Sequence, residues 1–150
     1  MKKIIILLLC VVIMSALIVG CRTNSSKAYT FTVDNGDKIK VTLDTSDDYD
    51  ISSDLPFTIS CDEEMLSQGS FILDETYEQY VSVVETDEKA KLLDSGTKDG
   101  HKYIFWCYNG SEYNYAILID DSSTGIIIGN QVSEESAKEC FNRLNITVEN

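Results

Sequence analysis

Aspartate residues are concentrated between residues 44 and 54. Carboxylate oxygens on a flexible loop are the ligands that Ca²⁺ prefers. The stretch lacks the alternating acids, the central glycine and the closing glutamate of an EF-hand loop. A solvated acidic loop is therefore the favoured interpretation. The alternative is a calcium site, and its ligands would be Asp44, Asp47, Asp48 and Asp50.

The only histidine is His101, and Asp99 and Cys107 lie near it in sequence. A Cys-His-Asp nucleophile would require these side chains to meet. If the segment is a strand, His101 and Cys107 lie about 20 Å apart along it. The sequence also lacks the Gly-x-Ser-x-Gly motif of serine hydrolases and a phosphate-binding glycine loop. We therefore expect neither enzyme activity nor a cofactor.

Aromatic residues are concentrated between residues 103 and 115. Tyrosine and tryptophan combine a large apolar area with a hydrogen-bonding group, so they are common at interfaces. Packing in the core is the favoured interpretation. If a binding surface exists, we expect it beside the exposed turn of this segment. Its residues would be Trp106, Tyr108, Tyr113 and Tyr115.

Three cysteines, Cys61, Cys107 and Cys140, lie in the body of the chain without C-x-x-C or Cys/His metal-ligand spacing. An odd number leaves at least one free thiol. Three buried thiols that behave as small apolar residues are the favoured interpretation. A single disulfide is the alternative, and the sequence does not distinguish the possible pairs.

The first 21 residues have the three-part layout of a secretory signal. Lys2 and Lys3 give a positive start, residues 4–19 are almost wholly apolar, and Gly20 is a small residue directly before Cys21. The apolar run is short against the ~20 residues that a spanning helix needs. The alternatives are an ordinary cleaved signal with a coincidental cysteine, an uncleaved anchor and a buried hydrophobic helix.

The stretch Ile18-Val19-Gly20-Cys21 resembles the lipobox of bacterial lipoproteins, in which an aliphatic, a tolerated and a small residue precede an obligatory cysteine. The resemblance implies cleavage after Gly20 and a diacylglyceryl thioether on Cys21. Each buried methylene contributes about 0.8 kcal/mol, and one chain anchors only marginally, so two or more acyl chains such as palmitate are needed. We therefore expect lipidation of Cys21 at the extracytoplasmic face of the cell membrane.

The sequence thus divides into a signal peptide (1–20), a lipidated N-terminus with a polar tether (21–27) and one globular domain (28–150). The chain carries 12 Lys+Arg and 25 Asp+Glu, a formal net charge of −13. Loss of Lys2 and Lys3 with the signal leaves −15 (10 basic against 25 acidic residues). This charge repels nucleic acids and anionic lipid headgroups. The anchor on Cys21 would therefore hold the domain at the membrane.

Local signals predict the elements of this domain. Alternating residues flank Asn35-Gly36 and predict a hairpin over residues 28–44, followed by an acidic loop and a strand over residues 57–61. Residues 65–73 are ambiguous, and we expect a loop that leads into a short strand. Turns at Asp99-Gly100, Asn109-Gly110 and residues 120–125 separate four strands between residues 91 and 128. The central strands are apolar on both faces, so both sides of the sheet must be covered.

Two amphipathic helices are predicted to provide this cover. The first spans about residues 75–86 with Asp74 as N-cap, and the second follows Ser133 as N-cap. Residues 146–148 can form a short edge strand. The expected fold class is α+β, with an antiparallel meander between two helices, an α-β-α sandwich. This order of elements resembles the PsbP/Mog1-like sandwich over residues 28–148.

The PsbP/Mog1-like resemblance implies a mostly non-catalytic domain that binds or assembles with other components. We therefore expect a membrane-anchored extracytoplasmic lipoprotein with a protein or cell-envelope partner and no nucleic-acid partner. The alternatives are an envelope hydrolase and a calcium-dependent binding module.

Overall fold

A computed structural model describes residues 25–149, and the lipidation site predicted at Cys21 lies outside the described residues. In chain order the described elements are β1 (Ser26–Thr32), β2 (Lys38–Asp44), a 3₁₀ turn (Ser46–Asp48), β3 (Tyr49–Ile51), β4 (Phe57–Cys61), β5 (Glu64–Leu73), α1 (Asp74–Thr86), β6 (Ala90–Lys98), β7 (His101–Tyr108), β8 (Glu112–Leu118), β9 (Thr124–Asn130), α2 (Glu134–Arg143) and β10 (Leu144–Glu149).

The strands of residues 25–149 form two antiparallel sheets. The larger, seven-stranded sheet has the order β3-β4-β5-β9-β8-β7-β6. The smaller, three-stranded sheet has the order β1-β2-β10, in which the last strand of the chain pairs with the second. The predicted α+β class with an antiparallel meander and two helices is therefore confirmed. The separate small sheet was not expected from the sequence.

The predicted hairpin turns are present because their residues adopt the backbone conformation that a tight hairpin needs. Asp99 and Gly100 have φ values of 52° and 90°, and Asn109 and Gly110 have values of 50° and 76°. Positive φ at both central positions defines a turn whose twist matches the flanking strands. These turns fix the register of β6, β7 and β8.

The main difference from the predicted elements is β5, a strand of ten residues where we expected a loop and a short strand. Its polar and small residues give little local strand signal. Tertiary packing favours the strand instead, because Gly69 lies directly against the ring of Phe57 in β4. A Cβ atom on Gly69 would lie 2.2 Å from that ring, so only glycine allows this approach.

Two element boundaries also differ from the prediction, by one or two residues. Helix α1 begins at Asp74 rather than after it, and the Asp74 carboxylate accepts a hydrogen bond from the Glu75 amide (2.8 Å). Strand β1 begins at Ser26, which pairs with Asp44, so the domain starts two residues earlier than predicted. Ser133 caps α2 as predicted, since its hydroxyl accepts from the Ser136 amide (3.0 Å).

The two faces of the seven-stranded sheet are covered differently. Helix α1 packs on one face, where Tyr77 and Val84 meet Ile104, Trp106 and Ala116. Helix α2 and the three-stranded sheet share the other face and enclose the larger apolar cluster. The expected layer of one helix on each face is thus correct for α1, whereas the opposite layer is part helix and part sheet.

A stack of three aromatic rings forms the centre of the larger cluster. Tyr115 lies between Phe105 and Phe141, with ring centroids 4.2 Å and 4.0 Å away and both pairs nearly parallel. Contacts between aromatic rings add to the energy of simple burial. Because Phe141 belongs to α2 and the other two rings belong to the sheet, this stack attaches α2 to the sheet.

Polar contacts attach the three-stranded sheet at its β1–β2 turn. The Asp37 carboxylate accepts hydrogen bonds from the hydroxyls of Ser122 (2.5 Å) and Thr124 (3.3 Å) in the turn and strand that follow β8. Asn35 donates to the hydroxyls of Ser123 and Thr124, both at 2.9 Å. The buried hydroxyl of Thr124 therefore depends on groups from the opposite sheet.

A second attachment holds β10 through side chains of β6 and β7. His101 Nε2 lies 2.9 Å from the Ile146 carbonyl, and its Nδ1 accepts from the Asp120 amide (3.0 Å). Lys98 donates to the carbonyls of Phe141 (2.9 Å) and Leu144 at the end of α2. A lysine at this position also complements the negative end of the helix dipole.

We predict that Asp37→Ala lowers the free energy of unfolding by about 1–3 kcal/mol, because it leaves the hydroxyls of Ser122 and Thr124 without their charged acceptor. Urea denaturation followed by the fluorescence of Trp106 measures this change. The control is Asp34→Ala, which removes an exposed carboxylate from the same turn. Equal stability of the two variants would contradict the assignment of Asp37 as an attachment between the sheets.

Candidate functional site

The acidic loop that we predicted as a solvated loop or a calcium site surrounds an arginine side chain. Arg143, at the end of α2, donates to the Asp47 carboxylate (2.8 Å) and to the Ser46 carbonyl (2.9 Å). Its guanidinium carbon lies 3.9 Å from the centre of the Tyr49 ring. The Arg143 side chain is only 12% exposed. The loop therefore already binds a cation that belongs to the protein itself.

Two of the four aspartates predicted as calcium ligands, Asp44 and Asp47, share Arg143, whose guanidinium nitrogens lie 4.0 Å and 2.8 Å from their carboxylates. Asp44 accepts from the Ser46 amide (2.9 Å), and this hydrogen bond lowers the pKa of the Asp44 carboxyl. Asp50 pairs with Lys27 (2.8 Å), which lowers the pKa of the Asp50 carboxyl. Asp47 pairs with Arg143, and Asp48 has a positive φ of 64°. Among residues 25–149, no three acidic, histidine or cysteine side chains group together in a way that could hold a metal ion.

The four aromatic residues predicted as a binding surface lie on opposite faces of the seven-stranded sheet. Trp106 and Tyr108 pack on the face that α1 covers. Tyr113 and Tyr115 pack on the face that α2 and the three-stranded sheet cover. Trp106 and Tyr115 are each only 4% exposed. The structure therefore does not bring these four side chains together on one surface.

The three cysteines between residues 25 and 149 are free thiols. Cys107 and Cys140 are buried, and Cys61 is half-buried near the acidic loop. Burial and the nearby carboxylates of Asp62 and Asp48 raise the pKa of the Cys61 thiol. A raised pKa lowers the fraction of reactive thiolate at neutral pH. The Cys61 thiol is therefore not activated as a nucleophile.

A furrow on the α1 face of the seven-stranded sheet is a concave surface with a single charged residue, Glu112. It has a volume of about 480 Å³, which lies within the usual range for ligand sites. It follows β9 between β5 and β8, beside the part of the sheet that α1 covers. Gln68, Gly129 and Asn114 form one row across it, since both amide residues pair with the glycine. Ser70, Ile127 and Ala116 form the next row.

The sides and floor of the furrow follow from this pairing. Gly129 has no side chain, so the floor is low between two amide side chains on the neighbouring strands. Asn114 donates to the Glu112 carbonyl (3.2 Å), which fixes its amide beside Gly129. Met65 and Val132, which are 63% and 58% exposed, lie at the rim. The furrow thus combines neutral hydrogen-bonding groups with exposed apolar side chains.

The furrow residues form no recognisable motif in the sequence. Thr58, which pairs with Gln68, and Glu112 are also polar on this face of the sheet, so polarity alone did not single out Gln68, Ser70 and Asn114. Their assembly depends on the pairing of β5, β9 and β8, which joins residues far apart in sequence. The furrow becomes visible only when the strand order is known.

No protein-family model matches the sequence, and no curated protein matches it. Residues 25–149 therefore define a class of domain. It is an α+β domain with two antiparallel sheets, two helices and a shallow polar furrow. In residues 25–149, no helix has the length and apolar character needed to cross a membrane.

We predict that Arg143→Ala lowers the free energy of unfolding by about 1–3 kcal/mol, because it removes hydrogen bonds to charged and main-chain acceptors in a largely buried place. Urea denaturation measures this difference. The matched control on the same helix is Lys138→Ala, which removes an exposed ion pair with Glu134 and should cost about 0.5 kcal/mol or less. If both variants have the same stability, Arg143 does not organise the acidic loop.

Proposed function

We propose that this protein is a lipoprotein that acyl chains on Cys21 anchor to the extracytoplasmic face of the cell membrane. The single observation that carries this proposal is the apolar run that ends in Gly20 directly before Cys21, after the positive start of Lys2 and Lys3. The position at which the domain begins is consistent with a lipid anchor on Cys21. Strand β1 begins at Ser26, so Arg22–Ser25 are the only residues between the anchor and the fold.

The short tether limits where the domain can work. Five Cα–Cα steps separate Cys21 from Ser26, and a fully extended chain spans at most about 17 Å over this distance. Without the signal peptide the net charge is −15 (10 basic against 25 acidic residues), so the surface of the domain is repelled by anionic headgroups. In this proposal the lipid holds an acidic domain close to a membrane that its own surface would avoid.

We also propose that the domain acts by binding rather than by catalysis. Two arrangements support this part of the proposal. Both ring nitrogens of His101 contact main-chain groups, the Ile146 carbonyl and the Asp120 amide. A histidine whose nitrogens are both occupied has no free position from which to transfer a proton to a substrate. The furrow beside β9 offers the concave, hydrogen-bonding surface that a binding function needs.

The finer fold assignment is likewise a proposal. We infer that the domain belongs to the PsbP/Mog1-like type of sandwich. Its support is the order of elements: a hairpin, a helix after β5, a meander over β6–β9 and a helix after Ser133. A fold of this type is consistent with a binding or assembly role, because that family is mostly non-catalytic.

We predict that Cys21→Ser abolishes acylation of the protein, because serine provides no thiol for the thioether. Expression in a bacterium that is fed an alkyne analogue of palmitate measures acylation as label on the purified protein. The matched control is Cys10→Ser, which removes the other cysteine of the apolar segment. The wild type and Cys10→Ser should be labelled equally. Full labelling of Cys21→Ser, or an unlabelled wild type, would contradict the anchoring proposal.

A further inference from the structure

We propose that the furrow binds an uncharged, N-acetylated glycan strand that lies along β9. This inference rests on the proposed binding function and names the class of ligand. The furrow is defined by the Gln68–Gly129–Asn114 row, by Ser70 in the next row and by Met65 and Val132 at the rim.

Charge separates the furrow from the other grooves of the domain. The furrow contains one charged residue, Glu112. The groove along α2 contains four carboxylate residues, the groove at the start of α1 contains five, and the groove beside Lys27 contains four. A cationic ligand would therefore prefer the other grooves, and an anionic ligand would be repelled by the whole domain. Of the three kinds of ligand, a neutral ligand is therefore the one that suits the furrow best.

The pairing of β9 argues against a peptide as this neutral ligand. Peptides that bind sheets commonly add a strand and obtain their affinity from main-chain hydrogen bonds. Strand β9 is paired on both sides, with β5 and with β8, so its main-chain groups are already used. A ligand in the furrow must be recognised by side chains, and the ligand must bring its own donors and acceptors on both edges.

A glycan with N-acetyl groups has the chemistry that these side chains require. The amides of Gln68 and Asn114 each offer donors and an acceptor, which match hydroxyl and acetamido groups on the two edges of a sugar chain. The hydroxyl of Ser70 adds a group that can donate or accept. Met65 and Val132 are exposed apolar side chains at the rim and provide contacts for acetamido methyl groups.

The absence of a side chain at Gly129 provides a direct test. A Cβ atom there would lie 3.4 Å from the Asn114 amide oxygen, which is an ordinary contact, and the backbone does not have a positive φ. Gly129→Val therefore fills the floor of the furrow without a conflict with the main chain, and valine is favoured in strands.

The experiment measures binding of a soluble β-1,4-linked N-acetylglucosamine tetramer to the full-length protein in detergent by isothermal titration calorimetry. We expect saturable binding to the wild type and a loss of affinity of at least about tenfold in Gly129→Val. Gln68→Ala, which keeps the glycine, should also weaken binding. The control Thr97→Val, on the exposed strand β6 three strands from β9, should bind as the wild type does.

A glucose tetramer without acetamido groups and an uncharged serine-rich hexapeptide are the comparison ligands. Weaker binding of the glucose tetramer supports recognition of the acetamido group. The inference is overturned if the N-acetylated tetramer gives no saturable heat at millimolar concentration, or if the hexapeptide binds in its place. It is also overturned if Gln68→Ala and a folded Gly129→Val both bind as tightly as the wild type.

If Gly129→Val does not unfold cooperatively in urea, the affinity of Gln68→Ala alone decides whether the furrow binds the glycan. Acylation of Cys21 is measured separately. An absence of glycan binding together with normal acylation would therefore contradict the proposed ligand and leave the anchoring proposal unaffected.

Discussion

The need to cover both faces of the seven-stranded sheet determines the rest of this structure. Seven strands make a sheet about 29 Å wide, whereas a helix of thirteen residues is about 20 Å long and about 10 Å across. Helix α1 therefore protects only part of its face. Where this cover is missing, the sheet carries Gln68, Ser70 and Asn114, and the furrow is the result. On the opposite face, α2 needs the three-stranded sheet beside it to enclose the aromatic stack around Tyr115.

Local signals were sufficient to predict the elements that local chemistry determines. Asp99-Gly100 and Asn109-Gly110 fix tight turns through their own backbone preferences, and Ser133 caps α2 through a hydrogen bond within four residues. Strand β5 could not be predicted in the same way, because its formation depends on Gly69 packing against Phe57. The division into two sheets was equally hidden, since β10 pairs with β2 about a hundred residues earlier in the chain.

The same distinction explains the candidate site. The acidic loop was visible in the sequence, but its occupant Arg143 lies 96 residues from Asp47 and gave no local signal. The aromatic segment was also visible. Its alternation places Trp106 and Tyr115 on opposite faces once the segment forms two paired strands, so a cluster in sequence becomes two separate parts of the core. The furrow is the reverse case, because its residues are scattered in sequence and adjacent in the sheet.

The proposed anchoring at Cys21 is the central claim, because it would place the acidic domain at the membrane and the furrow near envelope material. The most direct measurement is mass spectrometry of the N-terminal peptide from protein extracted from membranes. The account predicts a peptide that begins at Cys21 and carries the mass of a diacylglyceryl group on the thiol. A peptide that begins at another residue, or one with an unmodified Cys21, would contradict the account.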